Sequence, residues 1–362
     1  MLEYEWERRW GKKQGSIYSP KGFKPVPSAA EERMGRDDRR LKKVAERVAF
    51  MNSLDKDAGG HVFPRIRPTS SARNSKIQTF IISQQHTRTI LSLCKSHHAT
   101  VTNAIFVLVT FAWLRLVASR TDPRNARVSE AERKRWKAIG SERMPIMMYT
   151  AINLQSNIFL ALGYLNVVLP GFLPHLALEQ CESDEEARKV LERTFWLRVR
   201  SVRDQHTKVL SSPLFRERAE RAKAWAVIDD YEEELTTAKA EGGSRVAPKQ
   251  PRVPSVALLG VSLLANLDNL YLPSNFPALN LFDILNGTRK NTGGILLMGY
   301  TFRGRIYSTL GWDSRSFEPG VVEEFFEKFE ATLKEFLLPS VEGVVFERGL
   351  ECRSKAAEQA RL

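Results

Sequence analysis

Apolar residues recur at three-to-four spacing over residues 319–338, where Val322, Phe325, Phe326, Phe329, Leu333 and Phe336 fall on one stripe. That period predicts an amphipathic helix laid against a core. Upstream the period changes. Residues 76–83 and 144–153 are rich in β-branched, aromatic and methionine side chains and predict strands. Residues 255–268 and 293–313 hold three more strand-like runs, the last two joined at Arg303-Gly304 as a hairpin.

Between the first two strands lie two predicted helices. One carries Ile90, Leu91, Leu93 and Cys94 on its apolar side and ends near His97-His98. The other, over 103–118, turns Ile105, Leu108, Phe111, Ala112 and Leu116 inward, with Thr100 or Thr102 as its N-cap. Residues 120–143 form a charged loop with a short helical piece. Residues 181–231 are mostly helix, with Phe195, Trp196, Val199 and Val202 opposite a face dense in Arg and Lys. The reading is α/β, a two-layer sandwich with a mixed or antiparallel sheet and helices packed on one face. Residues 1–75 read as a connector, partly helical through Leu41, Val44, Val48 and Met51; 76–340 form the folded subdomain, and 341–362 a frayed tail.

Composition adds three constraints. A formal net charge of +13 fits a solvated basic surface or attraction of an anionic small ligand. No zinc-finger spacing or aromatic–basic ladder supports nucleic acid. Three widely spaced cysteines, Cys94, Cys181 and Cys352, without a CxxC pair, argue for a reducing compartment, and the charged first ten residues exclude a signal peptide. The expected localisation is cytoplasmic. Residues 158–178 contain no Asp, Glu, Lys or Arg, yet Pro170 and Pro174 disfavour a membrane span, so a buried strand or loop is expected.

Catalytic signatures are sparse. There is no glycine-rich phosphate loop and no HExxH, and the stretch around Gly260 and Ser262 lacks the second glycine of a nucleophile elbow. No metal site is expected.

The order of strand, helix, Cys94-Lys-Ser-His97-His98-Ala-Thr-Val-Thr102 and long apolar helix resembles a junction in the chloramphenicol-acetyltransferase-like superfamily. That group includes CoA-dependent, BAHD and alcohol acyltransferases and condensation domains. Gly163–Pro174, Phe195-Trp196-Leu-Arg198, Ser262-Leu-Leu-Ala-Asn266-Leu-Asp268 and the hairpin over 296–313 resemble a fungal branch of it. The resemblance covers roughly residues 75–340 and points to the second of two subdomains that enclose a tunnel. It implies an acyl-CoA co-substrate, no resident cofactor, and a hydroxyl or amine acceptor activated by the His of an HxxxD motif.

That motif is absent. Four residues beyond the histidines stand Arg65, Ile90, Val101, Thr102, Glu179 and Leu210; His175 with Glu179 comes nearest. The chain reads as N-terminally truncated relative to the superfamily and inactive alone. The alternative is a degenerate, non-catalytic relative that binds a ligand or protein. No residue is assigned as catalyst. Ser262, Asn266, Asp268, Thr301 and Ser308 are the candidates for tunnel lining or oxyanion donors, or else they satisfy backbone groups at strand ends. Ala265 and Asn269 stand where the resemblance favours glycine, which bears on how closely a ligand approaches that backbone. Basic residues over 193–223 are candidates for donor phosphates. Expected partners are small-molecule donor and acceptor, without nucleic acid or membrane, and with self-association through an exposed subdomain face.

Overall fold

The computed structural model describes residues 40–42, 44, 45, 48, 52, 60–66, 74–141, 145–153, 162–169, 183–211, 257–272, 274, 280–288, 290, 293–339, 341 and 343–348. Its strands are β1 (Ser75–Ile82), β2 (Ile146–Asn153), β3 (Leu162–Leu169), β4 (Leu259–Asn266), β5 (Ile295–Phe302), β6 (Arg305–Asp313) and β7 (Glu347–Arg348). They form one sheet in the order β3-β2-β4-β5-β6-β1-β7. β2, β4 and β5 run parallel, and the remaining pairs are antiparallel, so the sheet is mixed.

The helices are α1 (Gln84–Ser96), α2 (Val101–Thr121), α3 (Glu130–Ser141), α4 (Asp184–Leu210) and α5 (Val321–Leu337). α2 is long and apolar enough to cross a membrane, but its apolar side chains are buried in the main core with α4, α5 and the sheet. Its start is fixed by a capping box: Asn103 N donates to Thr100 Oγ1 while Thr100 N donates to Asn103 Oδ1. The six apolar residues of the predicted stripe on α5 are all buried. There Phe80 of β1 lies 5.1 Å from Phe326, and Phe195 of α4 stacks on Phe336 at 4.5 Å. Thr87 of α1 ties the layers, donating to Ile82 O and accepting from Ile306 N.

Three sequence expectations change. The described positions over 40–52 are helical, but Leu41, Val44 and Val48 are exposed rather than packed. The connector nevertheless supplies a core anchor: Phe63 is buried and meets Trp113, Phe317 and Phe325 edge-on. At the other end the fold runs past residue 340. Phe346 stacks on Phe80 and β7 pairs with β1, so residues 343–348 are part of the sheet layer and not frayed. A two-residue strand leaves too short a pattern to be read from sequence. His175, Cys181 and Cys352 lie outside the described residues.

Candidate functional site

Strand alternation divides the sheet into two faces. On the helix-covered face, cross-strand rows run Val261–Leu297–Leu310 and Leu263–Gly299–Ser308–Phe80. On the opposite face they run Gly260–Leu296–Gly311–Ile77, then Ser262–Met298–Thr309–Thr79, then Tyr300–Tyr307–Ile81. The second face carries no helix among the described residues. Instead, residues 281–288 and 290 lie on it as irregular chain, and Ile284 packs with Ile81, Leu267, Tyr300, Phe302 and Tyr307.

Glycines shape this face. A Cβ at Gly260 would sit 2.5 Å from the Tyr149 ring, and one at Gly311 would sit 3.2 Å from Lys290 Cε and 3.6 Å from Met298 Cε. Both positions are therefore beds for a neighbouring side chain. Thr79 and Thr309 share a buried hydroxyl contact of 2.9 Å. Tyr300 and Tyr307 stack at 4.8 Å, and the Tyr300 hydroxyl donates to Ile284 O. Burial raises both phenols, with Asp283 adding to the rise at Tyr307. They are donors here and not anions.

The five sequence candidates do not converge. Ser262 lies on the open face beside Met298. Thr301 and Ser308 belong to the helix-covered rows, where Thr301 pairs with Ile306 and Ser308, fully buried, lies between Gly299 and Phe80. Asn266 and Asp268 satisfy backbone groups. Asn266 Oδ1 accepts from Asp268 N at 2.9 Å and caps the 3-10 turn Leu267–Asn269. The Asp268 carboxylate accepts from Arg303 N and from Gly304 N, the latter at 3.0 Å. Arg303 and Gly304 have φ of 51° and 67°, the two left-handed residues of a tight hairpin turn. Asp268 thus locks the β5–β6 turn to the end of β4.

The glycine preference noted at Ala265 has a backbone counterpart: Ala265 has φ +60°, inside a register shift between Leu263 and Asn266. An alanine holds a conformation that glycine adopts without strain. The histidine pair is structural. His97 stacks on Trp196 with centroids 3.7 Å apart, and its burial lowers its pKa. His98 turns the chain at φ 52°, and its carbonyl accepts from Arg203 Nη1. The basic residues of α4 lie on the helical side of the sheet; α4 buries Phe195, Trp196, Val199 and Val202 in the main core.

Sequence reasoning missed Lys290. It is buried, its backbone N–H donates to Ser75 Oγ at 2.9 Å, and its Nζ donates to Thr288 Oγ1 at 2.6 Å. Burial lowers its pKa to about 8. One lysine in a polar, glycine-containing stretch carries no periodic signal, and only the glycine opposite it reveals the bed it occupies.

No protein-family model matches the sequence, and no curated protein matches it. Solved structures do. A trichothecene 15-O-acetyltransferase from Fusarium sporotrichioides superposes with a TM-score of 0.50 at 10% identity, over 80% of this chain and 51% of that one. SgcC5 from Streptomyces globisporus gives 0.45 at 12% identity, over 88% and 61%. A condensation domain from the enacyloxin polyketide synthase gives 0.45 at 9%, over 82% and 48%. The fold is chloramphenicol-acetyltransferase-like. The chain spans about half the length of the acetyltransferase it matches.

Proposed function

We propose that this protein is acyltransferase-like, and that its open sheet face is one wall of a site for an acyl thioester, such as acyl-CoA, and a small hydroxyl or amine acceptor. The observation that carries this reading is the asymmetry of the sheet. One face is closed by helices, while on the other Ser262, the buried Thr79–Thr309 pair and the two buried tyrosines lie, among the described residues, under irregular chain. Hydroxyls on a largely apolar wall are suited to orient a thioester where water is excluded.

Acyl transfer needs a base to take the acceptor proton as the acceptor oxygen or nitrogen attacks the thioester carbonyl. The sequence has no HxxxD, and the histidines described on the helical side are held by stacking, as His97 is, or by hydrogen bonding, as His206 is by Asn103 at 3.0 Å. The chain alone is accordingly proposed to lack turnover, with the base supplied by a second layer that mates with the open face. A reducing, cytoplasmic setting is part of the same reading. Purified protein incubated with acetyl-CoA and a panel of alcohols and amines should release no CoA beyond the uncatalysed rate. Multiple turnover that is lost in His175→Ala would contradict this.

A second reading, a non-catalytic ligand- or protein-binding relative, is favoured by the exposed large apolar residues Leu264, Leu270, Leu272, Leu281, Phe282 and Leu285. They lie after the open-face stretch of β4 or on the covering segment, and such patches mark interaction surfaces. Sedimentation showing concentration-dependent association would support it; a monomer at all concentrations would count against a mating face.

A further inference from the structure

We propose that Lys290 is an acyl-acceptor site: its ε-amine, lying across the open sheet face, takes the acyl group from a thioester presented there. This rests on the reading of that face as a thioester site. The stem of Lys290 runs over Gly311, with Met298 alongside, so the amine is placed by the sheet and is not free in solvent. Nζ makes one hydrogen bond, to Thr288 Oγ1, and no ion pair among the described residues. Asp313, two residues along β6 from Gly311, is engaged by Ser316 Oγ at 2.5 Å and faces the Gly293 and Arg315 amides at 3.4 Å. Asp283 on the covering segment receives the Ile284 amide.

A buried amine without a carboxylate gains nothing from holding its proton. Burial of the amine lowers its pKa to about 8, in agreement with that geometry. A second polar group on the same segment is also incompletely used, because Asn286 Oδ1 is buried with no hydrogen-bond partner. The covering segment is irregular, and Leu281, Phe282 and Leu285 are exposed on it. Local opening of that stretch is the path by which a thioester reaches the amine.

The step balances without a co-reactant. The Nζ lone pair attacks the thioester carbonyl carbon, a C–N bond forms, and the C–S bond breaks. The sulfur leaves with the electron pair and takes up the proton released from nitrogen. The products are an amide on Lys290 and a free thiol.

The test uses the full chain. It is incubated with acetyl-CoA, with the acetyl thioester of N-acetylcysteamine, or with trace acetic anhydride, and acetylation of each lysine is then mapped by peptide mass spectrometry. At about pH 8 a lysine titrating near 8 has far more neutral amine than one near 10.4, so Lys290 is expected to be labelled about tenfold or more above exposed lysines. The excess should vanish as pH approaches the surface-lysine range. Thr288→Val, which removes the positioning hydroxyl, should lower labelling at Lys290 and leave other lysines unchanged. Labelling of Lys290 by the small thioester but not by acetyl-CoA would uphold the acceptor site and count against CoA as donor. Saturable binding of acetyl-CoA without Lys290 labelling by any reagent would overturn the acceptor site and leave the proposed thioester wall standing. Labelling of Lys290 no faster than exposed lysines with all three reagents would also overturn it.

Discussion

Asp268 shows how a polar residue in an apolar stretch acts on the fold. Its carboxylate takes both amides of the Arg303-Gly304 turn, so it replaces backbone acceptors that a tight turn cannot provide. Asp268→Ala should lower stability by about 1.5–3 kcal/mol, the usual worth of a hydrogen bond to a charged acceptor. Chemical denaturation would measure it, and an unchanged midpoint would remove Asp268 as the latch. Lys290 makes the opposite kind of prediction. Its folded pKa, about 8, lies below the ordinary lysine value of 10.5. Between those values the unfolded chain binds more protons, so this group's contribution to stability rises with pH across that window. Below about pH 8 the cost of burying the charge is present in full. Lys290→Met should therefore be more stable than the parent near pH 7, and the gap should shrink as pH approaches 10. Paired denaturation curves would check it; a constant gap would mean that the amine is not titrating as the burial implies. From sequence, Asp268 was legible as a polar interruption but its partner was not, because the turn lies 35 residues away. That Ser308 and Thr301 lie on the helix-covered rows was not legible for a related reason: alternation fixes that residues share a face, not which face the helices cover.

At the scale of elements, periodicity was the informative signal. The α5 stripe and the β5–β6 hairpin stand as the pattern predicts, because a 3.6-residue period and a glycine at a left-handed turn have few alternative solutions. α3 was harder: only Trp136 and its neighbours turn a charged stretch into a core-facing helix, with Trp136 against Trp113 at 5.6 Å. The start of α2 gives a clean test. Asn103 closes the capping box and also meets His206 Nδ1 at 3.0 Å. Asn103→Ala should cost about 1–2 kcal/mol and loosen the α2–α4 contact. Hydrogen exchange confined to the first turn of α2 would limit Asn103 to capping; faster exchange in both helices is the expected result.

For the whole molecule, the sheet is a partition: among the described residues, helices close one side, and irregular chain and exposed apolar residues lie on the other. Residues 60–66 and 343–348 belong to this partition more than composition suggests. Phe63→Ala should lower stability by about 3–5 kcal/mol, since its ring meets Trp113, Phe317 and Phe325. A loss under about 1 kcal/mol would return residues 60–66 to the role of a loose connector. What sequence could not supply was the occupant of the open face, because burial on one side of a sheet is encoded in the strands while what covers the other side is encoded elsewhere. The claim that this face takes an acyl thioester is tested most directly by photo-crosslinking with a diazirine-bearing acyl-CoA and mapping the labelled residues. The account predicts saturable labelling on β4, β5, β6 and residues 281–290, competed by acetyl-CoA. Labelling confined to α4 and the helical side, or no saturable labelling, would contradict it.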